Sequence, residues 1–347
     1  MQTNSTLDNF IEYVIKHKAS DLHLSAGNYP ITRIDGELSC IPYADIIDSA
    51  ELFEILDSIM NELQRNAYRE KLELDFSIKS KSNNRFRVNV FTTINGPAAV
   101  FREIPSETIN LLEISAPEVL SEICKLHQGL VLVVGPTGSG KSTTLAAMIN
   151  HINDNYKRHI ITIEDPVEFT YKSNLSLINQ REVGVNTESF PAALRSALRE
   201  DPNVIMVGEM RDLETIRLAL TAAETGHLVM ATLHTNSAAQ SINRIIDVFP
   251  STDKDLVRSM VASSLKAVIS QRLAKKENGG RAAIYEIMIA NNSIKNLIRE
   301  DKIPQINSMI EIGKNQGMLT AKDSILDLFN RKIISKETAE GLLGSSE

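Results

Sequence analysis

The sequence predicts an α/β protein of two parts: an N-terminal α+β domain, then an αβα domain with a helical C-terminal part. Three observations carry that reading. The chain has 347 residues, more than one hydrophobic core usually serves. Residues 1 to 105 alternate short β-prone stretches with helical ones. Past residue 117 the pattern changes to continuous apolar strands, each followed by a helix, as in a parallel sheet covered on both faces. The expected domains are therefore 1–105 and 118–347, with a linker over 106–117.

In the first part, Asp35-Gly36 lies between the β-prone runs of 31–41 and reads as a tight hairpin. A helical stretch follows over 46–69, with Leu52, Ile55, Leu56 and Ile59 at helical spacing. Strands are expected over 72–78 and 85–93, where Phe86, Val88 and Val90 alternate with Arg87 and Asn89. Asn95-Gly96 reads as a two-residue turn and 97–104 as its return strand. The joint opens with Pro105-Ser-Glu and holds no sustained period. In the second part, Leu130-Val-Leu-Val-Val134 is a strand buried on both faces, and Ile160-Ile-Thr-Ile163, Val204-Ile-Met-Val207 and Leu228-Val-Met-Ala231 are others. Helical stretches between them imply right-handed crossovers. Residues 256–273 show helical spacing, and the C-terminal third reads as wholly helical.

Composition narrows the function. With 42% hydrophobic and 23% charged residues the chain can bury a sizeable core. A net charge of -7 and a pI near 5.6 disfavour a nucleic-acid partner, which wants a basic surface. Cys40 and Cys124 are far apart and outside any CxxC pair, which excludes a cysteine-framed zinc site and points to a reducing compartment. The first nine residues are polar and lack a basic signal-peptide region, and no apolar run approaches the ~18 residues of a membrane span. The expected location is the cytoplasm.

The chemistry is concentrated in Gly135-Pro136-Thr137-Gly138-Ser139-Gly140-Lys141-Ser142-Thr143, a GxxxxGK[ST] pattern after a buried strand and before a helix. Glycines let the backbone wrap a phosphate, the loop amides and helix N-terminus supply positive potential, and Lys141 reaches the β/γ oxygens of ATP. Ser142 is expected to place its hydroxyl on Mg²⁺. Glu164, at the end of the strand 160–163, stands where ligands bind in such sheets and is the candidate for activating water. Val204-Ile-Met-Val-Gly-Glu209 reads as a Walker B strand with Gly208 in the place of the usual aspartate, and Glu209 is expected to act on Mg²⁺ through its waters. His227 and His234 flank one strand, and His227 is the expected γ-phosphate sensor. No histidine spacing suits a structural metal.

These segments resemble the motifs of the secretion/type IV pilus ATPase superfamily, most closely its PilT-type retraction ATPases. The Walker A loop comes first, then Ile163-Glu-Asp-Pro-Val-Glu168 as the Asp box. Val207-Gly-Glu-Met-Arg-Asp212 follows as an atypical Walker B, and the segment from Thr221 to His234 as the His box. Ala19-Ser-Asp-Leu-His-Leu-Ser25 also matches, and the likeness runs from about residue 7 to 335. It implies a PAS-like N-terminal domain, a RecA-like ATPase domain, a homohexameric ring and ATP at subunit junctions. It also implies a platform-protein partner at the cytoplasmic face of the inner membrane. Extension motors usually carry an extra N-terminal domain and a four-cysteine motif that this chain lacks, which favours retraction. An accessory retraction ATPase, an extension motor and, more remotely, a nucleic-acid translocase stay open as alternatives.

The resemblance further implies two arginines acting on a neighbouring subunit's nucleotide. Arg87 and Arg102 match their spacing. With a turn at Asn95-Gly96, Asn89 would face Arg102 and Arg87 would be its diagonal neighbour, roughly 7–8 Å away. Ser293-Ile-Lys-Asn-Leu297 departs from an Ala-Ile-Arg-Ala-Gly-like stretch associated with productive retraction: Lys295 keeps the charge and loses the planar fork.

Overall fold

A computed structural model describes residues 5–34, 36–82, 84–104 and 109–344. The chain divides into two units, Met1–Glu107 with Asp165–Thr170, and Thr108–Glu164 with Tyr171–Glu347.

The first unit contains α1 (Ser5–His17), β1 (Asp21–Ser25), β2 (Ile31–Ile34), β3 (Glu37–Cys40), α2 (Ser49–Ile59), α3 (Glu62–Lys71), β4 (Glu73–Lys79), β5 (Arg85–Thr93) and β6 (Gly96–Ile104). Its strands form one antiparallel sheet in the order β3-β2-β1-β6-β5-β4. Leu22, Leu24, Phe86, Val88, Val90 and Phe101 enter a single core with Leu7, Ile11 and Val14 of α1 and Leu52, Ile55, Leu56 and Ile59 of α2. The α+β order is that expected of a PAS-like domain. β2 and β3 pair with Ile34 opposite Glu37; Asp35, in the expected turn, lies outside the described residues.

Two expectations change here. The helix expected over 46–69 is two helices, because Asn61 begins a new one. Its side chain accepts from Gln64 N at 2.8 Å while Gln64 Oε1 accepts from Asn61 N at 2.9 Å, a reciprocal cap that starts α3. The β5–β6 hairpin turns at Ile94-Asn95 rather than Asn95-Gly96, since Thr93 pairs with Gly96. Gly96 belongs to the strand because it packs closely: a Cβ there would stand 2.4 Å from Ser49 Oγ, and its φ is +122°.

The second unit contains α4 (Val119–Cys124), β7 (Gly129–Val134), α5 (Lys141–Asn155), β8 (His159–Glu164), β9 (Leu177–Glu182), α6 (Phe190–Ala197), β10 (Val204–Val207), α7 (Leu213–Glu224), β11 (Leu228–Leu233), α8 (Ala238–Asp247) and α9 (Lys254–Ser264). It continues with β12 (Leu265–Lys275), β13 (Arg281–Ile289), α10 (Asn292–Arg299), α11 (Ile306–Ile312), α12 (Ala321–Asn330) and α13 (Lys336–Gly344). The sheet order is β13-β12-β7-β11-β10-β8-β9, parallel except for β13. Alternate residues of β7 serve opposite cores: Leu130, Leu132 and Val134 pack with α6 to α11, and Val131 and Val133 with α4 and α5. Burial on both faces explains the unbroken apolar runs.

The expected helix over 256–273 ends at Ser264, and β12 follows at once. The β-branched Val268 and Ile269 lie between β7 and β13, and short buried runs do not announce their period. The C-terminal third is therefore not wholly helical: β12 and β13 form a hairpin closed at Asn278-Gly279-Gly280, a turn signal the sequence carries. The expected linker also shrinks. Residues 105–108 lie outside the described residues, while Ile109, Leu111 and Ile114 pack against the second unit's core.

Candidate active site

In the second unit the parallel strands end on one edge, where such folds bind ligands. The glycine-rich loop follows β7. Gly140 adopts φ +87° as N-cap of α5, and no side chain caps that helix, so its first-turn N–H groups face the loop. Lys141 is buried, and its Nζ donates to the carbonyls of Gly135 and Pro136 at 2.9 Å each. Pro136, Thr137 and Gly138 form the exposed crest, whereas Ser142 and Thr143 are half-buried in the first turn of α5. Ser139 Oγ is buried with no hydrogen-bond partner among the described residues. An orphaned buried hydroxyl in a glycine-rich loop that opens a helix suits an oxyanion.

Glu164 ends β8 on the same edge and is buried, receiving Thr162 Oγ1 at 2.7 Å and Gln180 Nε2 at 3.3 Å on Oε1. Gly208 follows β10, and its glycine has a local cause. A Cβ would press on Ile163 O at 3.3 Å and on Glu164 Cα at 3.4 Å, so the aspartate usual at that place would crowd the neighbouring strand. Glu209 comes next; its carboxylate holds Arg211 Nη2 at 2.5 Å and faces His234 Nε2 at 3.3 Å.

His227 does not join this group. It precedes β11, level with Gly129 at the start of β7, on the edge opposite the loop. Its Nδ1 lies 3.0 Å from the Ala222 carbonyl at the end of α7, a local structural contact. The expected phosphate-sensing position is thus not available to it, and His234, after the carboxyl end of β11, occupies that edge. Strand direction was the missing signal: in a parallel sheet only the residue after the strand reaches the ligand edge.

In the first unit Arg87 and Arg102 are direct cross-strand partners rather than diagonal neighbours, because the turn lies one residue earlier. Directly opposed residues have Cβ atoms about 4.5–5.5 Å apart. Each guanidinium pairs with a carboxylate on the adjoining strand. Arg102 Nε and Nη2 reach Asp21 Oδ1 at 2.8 Å, and Arg87 Nε and Nη2 hold Asp75. The hydrogen bond to Asp75 raises the pKa of Arg87 above its already high ordinary value. Both pairs use Nε and Nη2, leaving the Nη1 end of each fork without a protein partner among the described residues.

Sequence reasoning missed several partners of these groups. Arg211 on Glu209, Thr162 on Glu164 and the buried bond from Thr144 Oγ1 to Gln271 Oε1 (2.7 Å) were not foreseen. In the stretch 293–297, Lys295 is partly buried on α10; burial lowers its pKa, and Lys266 and Arg299 lower it further. Among the described residues no helix is long and apolar enough to cross a membrane.

The profile of the Type II/IV secretion system protein family matches residues 2–331. The chain is 51% identical over 333 residues to the "Type IV pilus retractation ATPase PilT" of Pseudomonas aeruginosa, covering 96% of each. It is 53% identical over 319 residues to the "Twitching motility protein" of Neisseria gonorrhoeae, covering 92% of this chain and 85% of that one. A crystal structure of the pilus retraction motor PilT with bound ADP matches with a TM-score of 0.89 at 44% identity, over 96% of this chain and 95% of that one. With a match across nearly its whole length and a RecA-like unit whose strand ends carry the nucleotide motifs, the chain belongs to the Type II/IV secretion system protein family.

Proposed function

We propose that this protein is a Mg-ATP-hydrolysing motor that works as a homohexamer and powers retraction of type IV pili. The observation that carries the reading is the convergence of Lys141, the uncapped start of α5, Glu164 and Glu209 on one edge of a parallel sheet. The similarity to a retraction ATPase and a twitching motility protein supplies the biological setting.

The loop amides and Lys141 hold the triphosphate, with Ser139 offering one more hydroxyl. Ser142 and Glu209 would hold Mg²⁺, which would supply positive charge to the phosphates; hard cations that keep their waters need few protein ligands. Arg211 and His234 fix the Glu209 carboxylate. Glu164 orients and deprotonates water, with Thr162 and Gln180 setting its plane. His234, in place of His227, senses the γ-phosphate. Arg87 and Arg102 serve the nucleotide of a neighbouring subunit: Asp75 and Asp21 orient their planes and leave Nη1 for phosphate. The ring sits at the cytoplasmic face of the inner membrane and acts there on a platform protein.

Steady-state ATPase measured beside oligomer mass tests the enzyme. A hexamer that turns over ATP, inactivated by Lys141→Ala, is the expected result. In cells, deletion should leave hyperpiliated bacteria that do not twitch; bald cells would instead assign the chain to pilus extension.

A further inference from the structure

Two glycines of the phosphate loop owe their identity partly to one residue outside it. β12 runs beside β7 as far as Ser270, which faces Val134, so Gln271 is the first residue past the end of β7. It is 2% exposed. Its carbonyl oxygen lies 2.3 Å from where a Cβ on Gly135 would stand, and its Nε2 lies 2.7 Å from a Cβ on Gly140. Thr144, in the first turn of α5, donates its hydroxyl to Gln271 Oε1 at 2.7 Å. That bond fixes the amide, so its N–H end is the one turned to Gly140.

We propose that Gln271 is a positioning residue of the phosphate cradle: its main chain supports the entry of the loop, and its amide supports the exit. The inference rests on the reading of 135–143 as a nucleotide loop. A glycine-rich loop loses much backbone freedom when it closes on a phosphate. A brace in place beforehand removes part of that cost, and an amide N–H end adds positive potential beside Gly140. An apolar side chain could fill the same space, whereas the bond from Thr144 sets which end of the glutamine amide faces Gly140.

The test uses the full chain and a fluorescent ATP analogue. Gln271→Met keeps the length and removes both polar ends. Gln271→Glu keeps an acceptor for Thr144 and turns an anionic oxygen toward Gly140. Affinity should fall about tenfold in Gln271→Met, as for one lost buried hydrogen bond, and further in Gln271→Glu. KM for ATP should rise in step while kcat moves by less than about threefold. Melting temperatures should stay within about 5 °C of the parent, which a purely structural role would not predict. Thr144→Val should weaken binding like Gln271→Met, and Thr144→Ser, which restores the hydroxyl, should recover it. This second pair decides the matter if Gln271 variants fail to fold. Folded Gln271 variants with parental affinity, or Thr144→Val with parental affinity, overturn the inference. Wild type that binds nucleotide but never hydrolyses it would sink the hydrolase reading alone, leaving the affinities to judge Gln271. Wild type with no nucleotide affinity sinks both.

Discussion

The two sheets of this chain put their polar chemistry in different places. In the second unit the central strands are buried on both faces, and most of the candidate groups stand where strands stop: the loop after β7, Glu164 at the end of β8, Glu209 after β10 and His234 after β11. In the first unit one face packs on helices and the other carries charge across strands, from Asp75 through Arg87 and Arg102 to Asp21. A doubly covered sheet opens to a ligand chiefly at its ends, so strand direction decides which residues meet there. A half-covered sheet can offer polar atoms anywhere along its open face, so register decides. The consequences of an error differ accordingly. Choosing the wrong end of β11 misplaces a histidine by about 20 Å, whereas a shifted hairpin moves two arginines only from diagonal to opposed.

The largest expected effect tests the strand-end site. Lys141→Ala should lower ATP turnover at least ~10³-fold while the proposed hexamer persists, because on the proposed reading it removes the charge that clamps the phosphates. Steady-state hydrolysis with native mass measurement checks this; near-parental turnover would remove the basis for the functional reading.

The open-face site comes next. Arg102→Ala alone is a confounded probe, since Asp21 is only 5% exposed in its side chain and would lose its ion pair. Arg102→Lys keeps the charge and loses the fork. It should still lower turnover about 10²-fold or more if the fork itself grips phosphate. Mixing Lys141→Ala subunits with Arg102→Lys subunits should restore part of the activity if the arginine serves a neighbour. Freely exchanging hexamers that recover nothing would point to action within one subunit, or to a ring that fires only when every site is sound.

Glu164→Gln and Glu209→Gln should each bind ATP and turn it over about 10²-fold more slowly. Parental rates in Glu164→Gln would take the water-activating role from it. Smaller again is the contrast between histidines. His234→Ala should cost about tenfold in turnover, the scale of a partner that orients a metal-shell carboxylate. His227→Ala should stay within about twofold, as a local contact at the far edge predicts. The reverse order would restore the sequence-based choice. The smallest effect is one of stability: Gly96→Ala, at positive φ and against Ser49, should cost about 1–2 kcal/mol in chemical denaturation. No loss would mean that the hairpin can turn at Asn95-Gly96 after all.

What the sequence by itself determined is local or strongly periodic. The phosphate loop is legible because its function needs consecutive backbone amides, and these come from consecutive residues. The strands of 130–134, 160–163, 204–207 and 228–231 are legible because burial on both faces leaves an unbroken apolar run. The candidates Glu164, Glu209, Arg87 and Arg102 were visible through motif order and spacing. What only the tertiary structure decided is pairing between distant segments. The β12–β13 hairpin was hidden under helical spacing, although Asn278-Gly279-Gly280 marked its turn. The hairpin register, with Thr93 opposite Gly96, sets that glycine where a Cβ would stand 2.4 Å from Ser49 Oγ, 47 positions away in the chain. The link between Thr144 and Gln271 spans 127 positions, and no local pattern can encode it. A propensity or a motif acts through neighbours in sequence, whereas a brace or a register is chosen by whatever the closed core brings alongside.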